Sequence, residues 1–381
     1  MNLSFFTFFK NKELGQFFLS IFIMTFGESL INIFVPIYLF NSGFPIYQIL
    51  FFYFLGAFYF LIWSYPIAWL VSKIGSKHAI LCSSFLLVAY FLGLIFIQNV
   101  PILFFILPAL LSLRSSLFNY GYDTIFWTNS AEDKIGKTLA ALGILTLLAT
   151  AVAPFLGGLL FNFNFSWAFS ISSFLILSGT IPLFFSRDIS PHINFNSRHL
   201  LKRFFSRLER GNVISFSGYA IESTIGRVIW PIFIILVVGS ISKTGFVISL
   251  SLLISILVFS FVGNITDKVK KVFLVKVGTL LYMLGWVARI FADSTVKILA
   301  IDSYKNVTEK LLQLPWGAQT YTLAKRGDYF EFIVFRQIAF NFVRIVVIPL
   351  LMIVFWFDFY PFIISFLIAS IFSLGYMFIK Q

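Results

Sequence analysis

Apolar segments long enough to cross a bilayer recur about twelve times along this chain, beginning near Gln16, Tyr47, His78, Pro101, Thr138, Phe165, Asn212, Gly245, Lys271, Val296, Phe330 and Asp358. Each runs for about 20–30 residues, against a hydrocarbon core about 30 Å thick. Backbone polar groups in lipid must satisfy one another within the segment, so such stretches fold as helices. Composition agrees. Hydrophobic residues make up 59% of the chain and charged residues 11%, where soluble domains run at about 45–50% and about 25%. The expected fold class is an all-α polytopic membrane protein with twelve transmembrane helices.

The net charge of +13 does not mark a nucleic-acid surface, because of where it lies. With the N-terminus placed in the cytoplasm, nearly every Lys and Arg outside the apolar segments falls on the inner side, Lys243 and Lys297 excepted. That is the distribution the positive-inside rule requires. Both termini are then cytoplasmic, and the chain is expected in the cell (inner) membrane. No cleavable signal is expected, since Lys10, Lys12 and Glu13 precede a full-length apolar segment without a small-residue cleavage site. The single cysteine, Cys82, excludes an internal disulfide and reads as a buried small hydrophobe.

An offset of about 195 residues brings the two halves into register. Pro36 meets Pro231, Pro154 meets Pro349, and Lys73 meets Lys268, while Glu28-Ser29 falls one residue out of step with Glu222-Ser223. The pattern predicts two six-helix bundles related by a pseudo-two-fold repeat, a device of transporters. Residues 1–187 form the first bundle and 211–381 the second. Residues 188–210 form a basic cytoplasmic connector that reads as amphipathic and suited to an anionic leaflet.

The loops carry a resemblance. Gly263, Asp267 and Lys268, followed by Lys270 and Lys271, are similar to the Gly-x-x-x-Asp-(Arg/Lys) loop motif of the major facilitator superfamily. A degenerate first copy retains Lys73, Gly75 and Lys77, with Ala68 and Ser72 in place of the leading Gly and the Asp. The run Ala149 to Gly158, with Ala153, Pro154 and Gly157, resembles a helix-5 motif of that superfamily's exporters and antiporters, with two Gly-to-Ala changes. Tight packing alone would also account for those small residues. The resemblance implies the superfamily's fold, a cytoplasmic gate at the loop motifs, and a central cavity lined by helices 1, 4, 7 and 10.

Seven charges lie inside apolar segments, and all fall in those four: Glu28, Arg114, Glu222, Arg227, Asp302, Lys305 and Glu309. An ionisable group at that depth costs roughly 2.5–3.5 kcal/mol on translocon scales, so it faces water or a partner. At about 1.5 Å per residue, Glu28, Arg114, Glu222 and Glu309 sit roughly 15–20 Å into their segments. Asn32 shares a helical face with Glu28, and Gln313 and Trp316 continue the stripe of Asp302, Lys305 and Glu309. Lys305–Glu309 reads either as a functional pair or as one that only holds helices together. Glu28 has no cation on its own helix, which suits a group that binds and releases protons; Glu222 is the second candidate. Arg114 matches an Arg that the superfamily links to proton coupling, although the Gln-Gly expected after it is replaced by Leu117-Phe118.

Asp123 is expected to pair with Lys73 or Lys77 at the gate, and Arg289 with Asp293 at the outer end of span 9. Arg336 and Arg344 read either as lining the inner mouth of the cavity or as bonding helix C-terminal carbonyls. No phosphate-cradling loop, metal-ligand spacing or hydrolytic triad is present in the sequence, so no cofactor, metal, nucleic acid or enzymatic activity is expected. The expected function is secondary active transport of a small organic solute by alternating access, proton-coupled and of the exporter or antiporter type. The expected oligomeric state is a monomer. A non-transporting sensor or scaffold with the same fold is the alternative.

Overall fold

Proline marks the place where two of the helices are interrupted. The computed structural model describes residues 12–130, 135–266, 271–324 and 328–379. In it α1 (Lys12–Ser29) gives way to a turn over 30–34, and the chain resumes as α2 (Val35–Asn41) with Pro36 in its first turn. In the second half α9 (Arg210–Thr224) passes through a π-helical turn, Ile225–Ile229, into α10 (Trp230–Val238), with Pro231 in its first turn. Proline has no N–H for the carbonyl four residues back. The Arg227 carbonyl therefore loses its regular partner, and the Trp230 N–H reaches to Ile225 instead. Such π turns cluster at functional sites.

The remaining helices are α3 (Ile46–Ile74), α4 (Ser76–Ile95), α5 (Leu103–Asn129), α6 (Ile135–Phe163), α7 (Phe165–Phe184), α8 (Ser197–Phe204), α11 (Ile241–Thr266), α12 (Lys271–Ala288), α13 (Thr295–Ala324), α14 (Tyr329–Trp356) and α15 (Pro361–Ser373). No strand occurs among the described residues. Ten helical stretches are long and apolar enough to cross a membrane, with α9 and α10 forming one of them. Two of the twelve expected spans fall short on composition. The 18 residues of α1 include Lys12, Glu13 and Glu28, and α13 carries Asp302, Lys305, Glu309 and Lys310. The charges that mark these helices as candidates for function are the ones that lower their hydropathy.

The surface has the polarity of a protein dissolved in lipid. Phe85, Phe174, Ile181 and Leu257 point outward, while Ser20, Ser64, Ser116, Thr124 and Ser215 are buried. Cys82, expected inside, is exposed on α4: its place on the helix turns it away from the packed face, where Ser83 and Ser84 sit.

Within the first half α1 packs on α6 and α7, α4 on α5 and α7, and α3 on α5; within the second, α12 packs on α13 and α15, α11 on α13, and α9 on α14 and α15. The halves meet along α6–α11 and α3–α14. Small residues make the first of these seams. A Cβ on Gly245 would strike the Pro154 carbonyl, while on another side of α6 one on Gly157 would strike the Leu30 carbonyl of its own half. Ala149 and Ala153 are buried in the same helix, and Gly158 lies against the backbone of Ile241 to Gly245. The Phe155 N–H donates to Ser249 Oγ at 2.8 Å, tying α6 to α11 just after Pro154.

The connector folds back over the turn between α3 and α4. Gly75 holds that turn at φ +87°, and its missing Cβ leaves room for the Asp188 carboxylate. Asp188 accepts from the Lys77 N–H at 2.8 Å and pairs with His78. Further along, Asn196 caps α8, and Leu201, Phe205 and Leu208 are exposed apolar side chains between Arg and Lys residues.

Candidate functional site

Glu28 opens the site from α1, just before that helix breaks. It pairs with Arg114 of α5, and the Asn32 amide donates to its other oxygen at 3.4 Å. Arg114 also lies over the Phe118 ring, 4.6 Å from its centre. Its own helix supplies it with no cation. The cation comes from another helix, a contact that spacing along one helix cannot reveal.

Glu222 has the environment that was expected of Glu28. It is 3% exposed, and its two oxygens accept from the hydroxyls of Tyr282 and Tyr376, both at 2.7 Å. Among the described residues no Lys, Arg or His lies within ion-pair distance of it. One turn on, the side chain of Arg227 is exposed and donates to Tyr219 Oη at 3.1 Å. Arg344 of α14 approaches the same face, donating to Asn341 Oδ1 at 3.2 Å and Ser223 Oγ at 3.4 Å.

On α13 the Lys305–Glu309 pair forms, at 2.5 Å. Trp316 donates to Ser215 Oγ at 2.7 Å and stacks on Tyr219, with ring centres 5.5 Å apart. Asp302 does not line an open cavity. Both of its oxygens are taken, one by Arg289 at 3.0 Å and the other by the Trp230 indole at 3.2 Å, with Arg289 itself between the rings of Trp230 and Trp286. The expected Arg289–Asp293 pair is absent because α12 tightens into a 3-10 turn at Arg289–Phe291 and ends. Asp293 pairs with Lys297 instead, and that hydrogen bond holds its carboxyl below the usual aspartate range.

At the connector end, Asp123 is 3% exposed and joins the two halves. Tyr321 of α13 donates to it at 2.5 Å, and Arg336 of α14 pairs with its other oxygen. Neither Lys73 nor Lys77 reaches it. Lys77 Nζ is held by the carbonyls of Phe184 and Ser186, and Lys73 is exposed beside Trp69. Ser72, where the loop motif has Asp, donates to the Trp69 carbonyl at 2.7 Å. Trp127 and Tyr329 stack face to face at 4.1 Å beside this bridge. Asp267 and Lys268 lie outside the described residues, and of Gly263 only its place in α11 is described.

A cavity of about 350 Å³ lies above the Asp123 bridge, lined by Tyr122, Tyr219, Lys310, Gln313, Trp316, Tyr321, Arg336 and Gln337, with Leu and Gly residues of α6 as one wall. Of the expected cavity residues, Gln313 and Trp316 line it directly. Arg227 reaches it through Tyr219; Asn32, Lys305 and Glu309 do not line it. Spacing alone missed four residues: the tyrosines at 219, 282 and 376, and Arg336 as the partner of Asp123. Aromatic residues are 20% of the sequence, so a few functional hydroxyls do not stand out. Among the described residues no three His, Cys, Asp or Glu side chains converge to hold a metal ion.

The sequence profile of the Major Facilitator Superfamily matches residues 17–304. No curated protein matches the chain significantly in sequence. Solved structures are similar over nearly the whole chain. One, concerned with substrate recognition in proton-dependent oligopeptide transporters, is 12% identical and covers 97% of this chain and 96% of its own, with a TM-score of 0.67. The nucleoside transporter NupG is 13% identical, covering 97% and 98%, with a TM-score of 0.64. A POT family transporter in complex with 5-aminolevulinic acid is 13% identical, covering 94% of each chain, with a TM-score of 0.69. At these identities the likeness is one of fold.

Proposed function

Because the chain belongs to the Major Facilitator Superfamily, we propose that this integral membrane protein is a secondary active transporter moving a small organic solute by alternating access. The observation that carries the reading is the set of polar clusters inside an otherwise apolar helical body: Glu28–Arg114, Glu222 with its two tyrosines, and Lys305–Glu309. A protein that only scaffolded others would have no use for charge at that depth.

In this reading α1–α2 and α13 complete twelve spans, arranged as bundles 1–187 and 211–381 around the interior. Connector and termini are cytoplasmic, in the inner membrane, and the functional unit is a monomer. The connector end is then the inner face, and Asp123–Arg336–Tyr321 is the latch that shuts it. Opening inward separates α5 from α13 and α14, with α6 moving against α11 about Pro154 and its small neighbours. That seam is also what favours export or antiport.

Proton coupling is assigned to Glu222, with the Glu28–Arg114 pair as the second coupling element. An ionised carboxylate buried without a cation is costly, so taking up and releasing a proton there changes which packing of α9, α12 and α15 is preferred. Protonating Glu28 would likewise release Arg114. One similar fold is described as proton dependent, in keeping with this assignment. The test is flux in proteoliposomes: a transporter moves solute across a sealed membrane, and a scaffold or sensor leaves it where it was added.

A further inference from the structure

Of the carboxylates in the described helices, buried Asp123, Asp302 and Glu331 are matched by Arg336, Arg289 and Arg203, and half-buried Glu28 and Glu309 by Arg114 and Lys305. Glu222 is occupied by tyrosine hydroxyls. Among the bases near the 350 Å³ cavity that leaves Lys310, which lines it, and the pair Arg227 and Arg344. Among the described residues neither arginine has a carboxylate within ion-pair distance. Their recorded partners are neutral oxygens, those of Tyr219, Asn341 and Ser223. The two guanidinium groups come from different helices; Arg227 acts on Arg344, and the Glu222 carboxylate acts on both, which leaves one positive charge in excess when it is ionised and two when it is protonated.

Two like charges brought together in a membrane interior call for an anion. Arg227 sits in the π-helical turn, Ser223 and Tyr219 follow at steps of four along the same face, and Arg344 reaches Ser223 from α14. Tyr219, which accepts from Arg227, also lines the 350 Å³ cavity and stacks on Trp316. The cavity thus has a flat aromatic wall, with a pair of guanidinium groups at its Tyr219 edge. A guanidinium fork matches the oxygens of a carboxylate or phosphoryl group.

We propose that Arg227 and Arg344 bind the acidic group of the transported solute, which is a small organic anion whose body rests against Tyr219 and Trp316. The inference rests on the transport reading and narrows it to a substrate class. When the anion leaves, the charge of the two arginines is again offset only in part, by Glu222.

The test is thermal stabilisation of the purified full-length protein by four probes that share one ring: benzoate, phenyl phosphate, benzamide and benzylamine. Saturable stabilisation by benzoate or phenyl phosphate is expected at up to millimolar concentration, with the stronger of the two identifying carboxylate or phosphoryl chemistry. It should fall at least about tenfold in apparent affinity in Arg227→Gln and in Arg344→Gln, the loss of one charge-assisted contact. Arg344→Lys should recover part of it. The unliganded variants should melt no lower than wild type, because each loses a charge that repels its neighbour, whereas a merely structural arginine would lower the melting point.

Equal or greater stabilisation by benzamide or benzylamine would overturn the anion assignment and leave transport standing. So would anion binding that survives both substitutions. No stabilisation by any probe would also overturn it. Transport itself stands or falls separately, on the flux measurement.

Discussion

Asp293 and Asp302 lie close in sequence and differ in what surrounds them. Asp302 is buried and satisfied on both oxygens by Arg289 and Trp230, whereas Asp293 is exposed and touches Lys297 across one helical turn. Removing one member of a buried pair leaves the other uncompensated, at a cost of about 3–5 kcal/mol; exposed pairs contribute little. Asp302→Asn should therefore lower the melting temperature of the purified protein clearly, while Asp293→Asn leaves it unchanged. Equal shifts in the two variants would contradict the assignment of Asp302 to a closed cluster. The sequence places all of these charges, but not their partners. Arg289 and Asp293 have the spacing of a helical pair, and only the 3-10 ending of α12 separates them. Lys77 sits in a motif loop near Asp123, and only the fold of the connector commits it to the carbonyls of Phe184 and Ser186.

Among the elements, α6 and α14 meet the opposite half in different ways. The α6–α11 seam depends on backbone contact, so its tolerance to volume is set residue by residue. At Gly245 of α11 an added Cβ meets the Pro154 carbonyl of α6, while at Gly143 of α6 it meets only the far end of Leu314 of α13, at 3.5 Å. Gly245→Leu should lower stability and abolish flux, and Gly143→Ala should leave both near wild type. Wild-type behaviour of Gly245→Leu would show that α6 and α11 do not pack as described. The contact of α14 with α5 runs through charge. Asp123→Ala frees Arg336 and Tyr321 together, and should raise the labelling rate of a cysteine at Thr320, introduced in a Cys82→Ser background, several-fold from the connector side. An unchanged rate would remove Asp123 from the latch. Helix existence was legible because each apolar run is long. Which face of each helix meets which neighbour was not, since helices apolar all round carry little amphipathic signal and lipid on the outside removes the polar stripe that marks a soluble surface.

At the scale of the whole molecule, the long apolar segments were sufficient for an all-helical membrane fold, in which ten stretches are long and apolar enough to cross a bilayer, and the repeat pairs Pro36 with Pro231. The interruptions at α1–α2 and α9–α10 fall at those prolines. The stranded charges fall in polar clusters within the helical body. What they did not mark was which buried acid has, among the described residues, no base within ion-pair distance, because that depends on Tyr282 of α12 and Tyr376 near the C-terminus reaching the same carboxyl. The central claim is that this carboxyl, Glu222, couples solute movement to protons. The measurement that tests it is solute uptake into proteoliposomes, with and without an imposed pH gradient, in wild type and Glu222→Gln at matched reconstitution. The solute is the one that stabilises the purified protein most. Wild type is expected to concentrate or deplete it when the gradient is present, and Glu222→Gln to bind it and equilibrate it without concentrating it. Gradient-driven accumulation by Glu222→Gln at the wild-type level would contradict the claim.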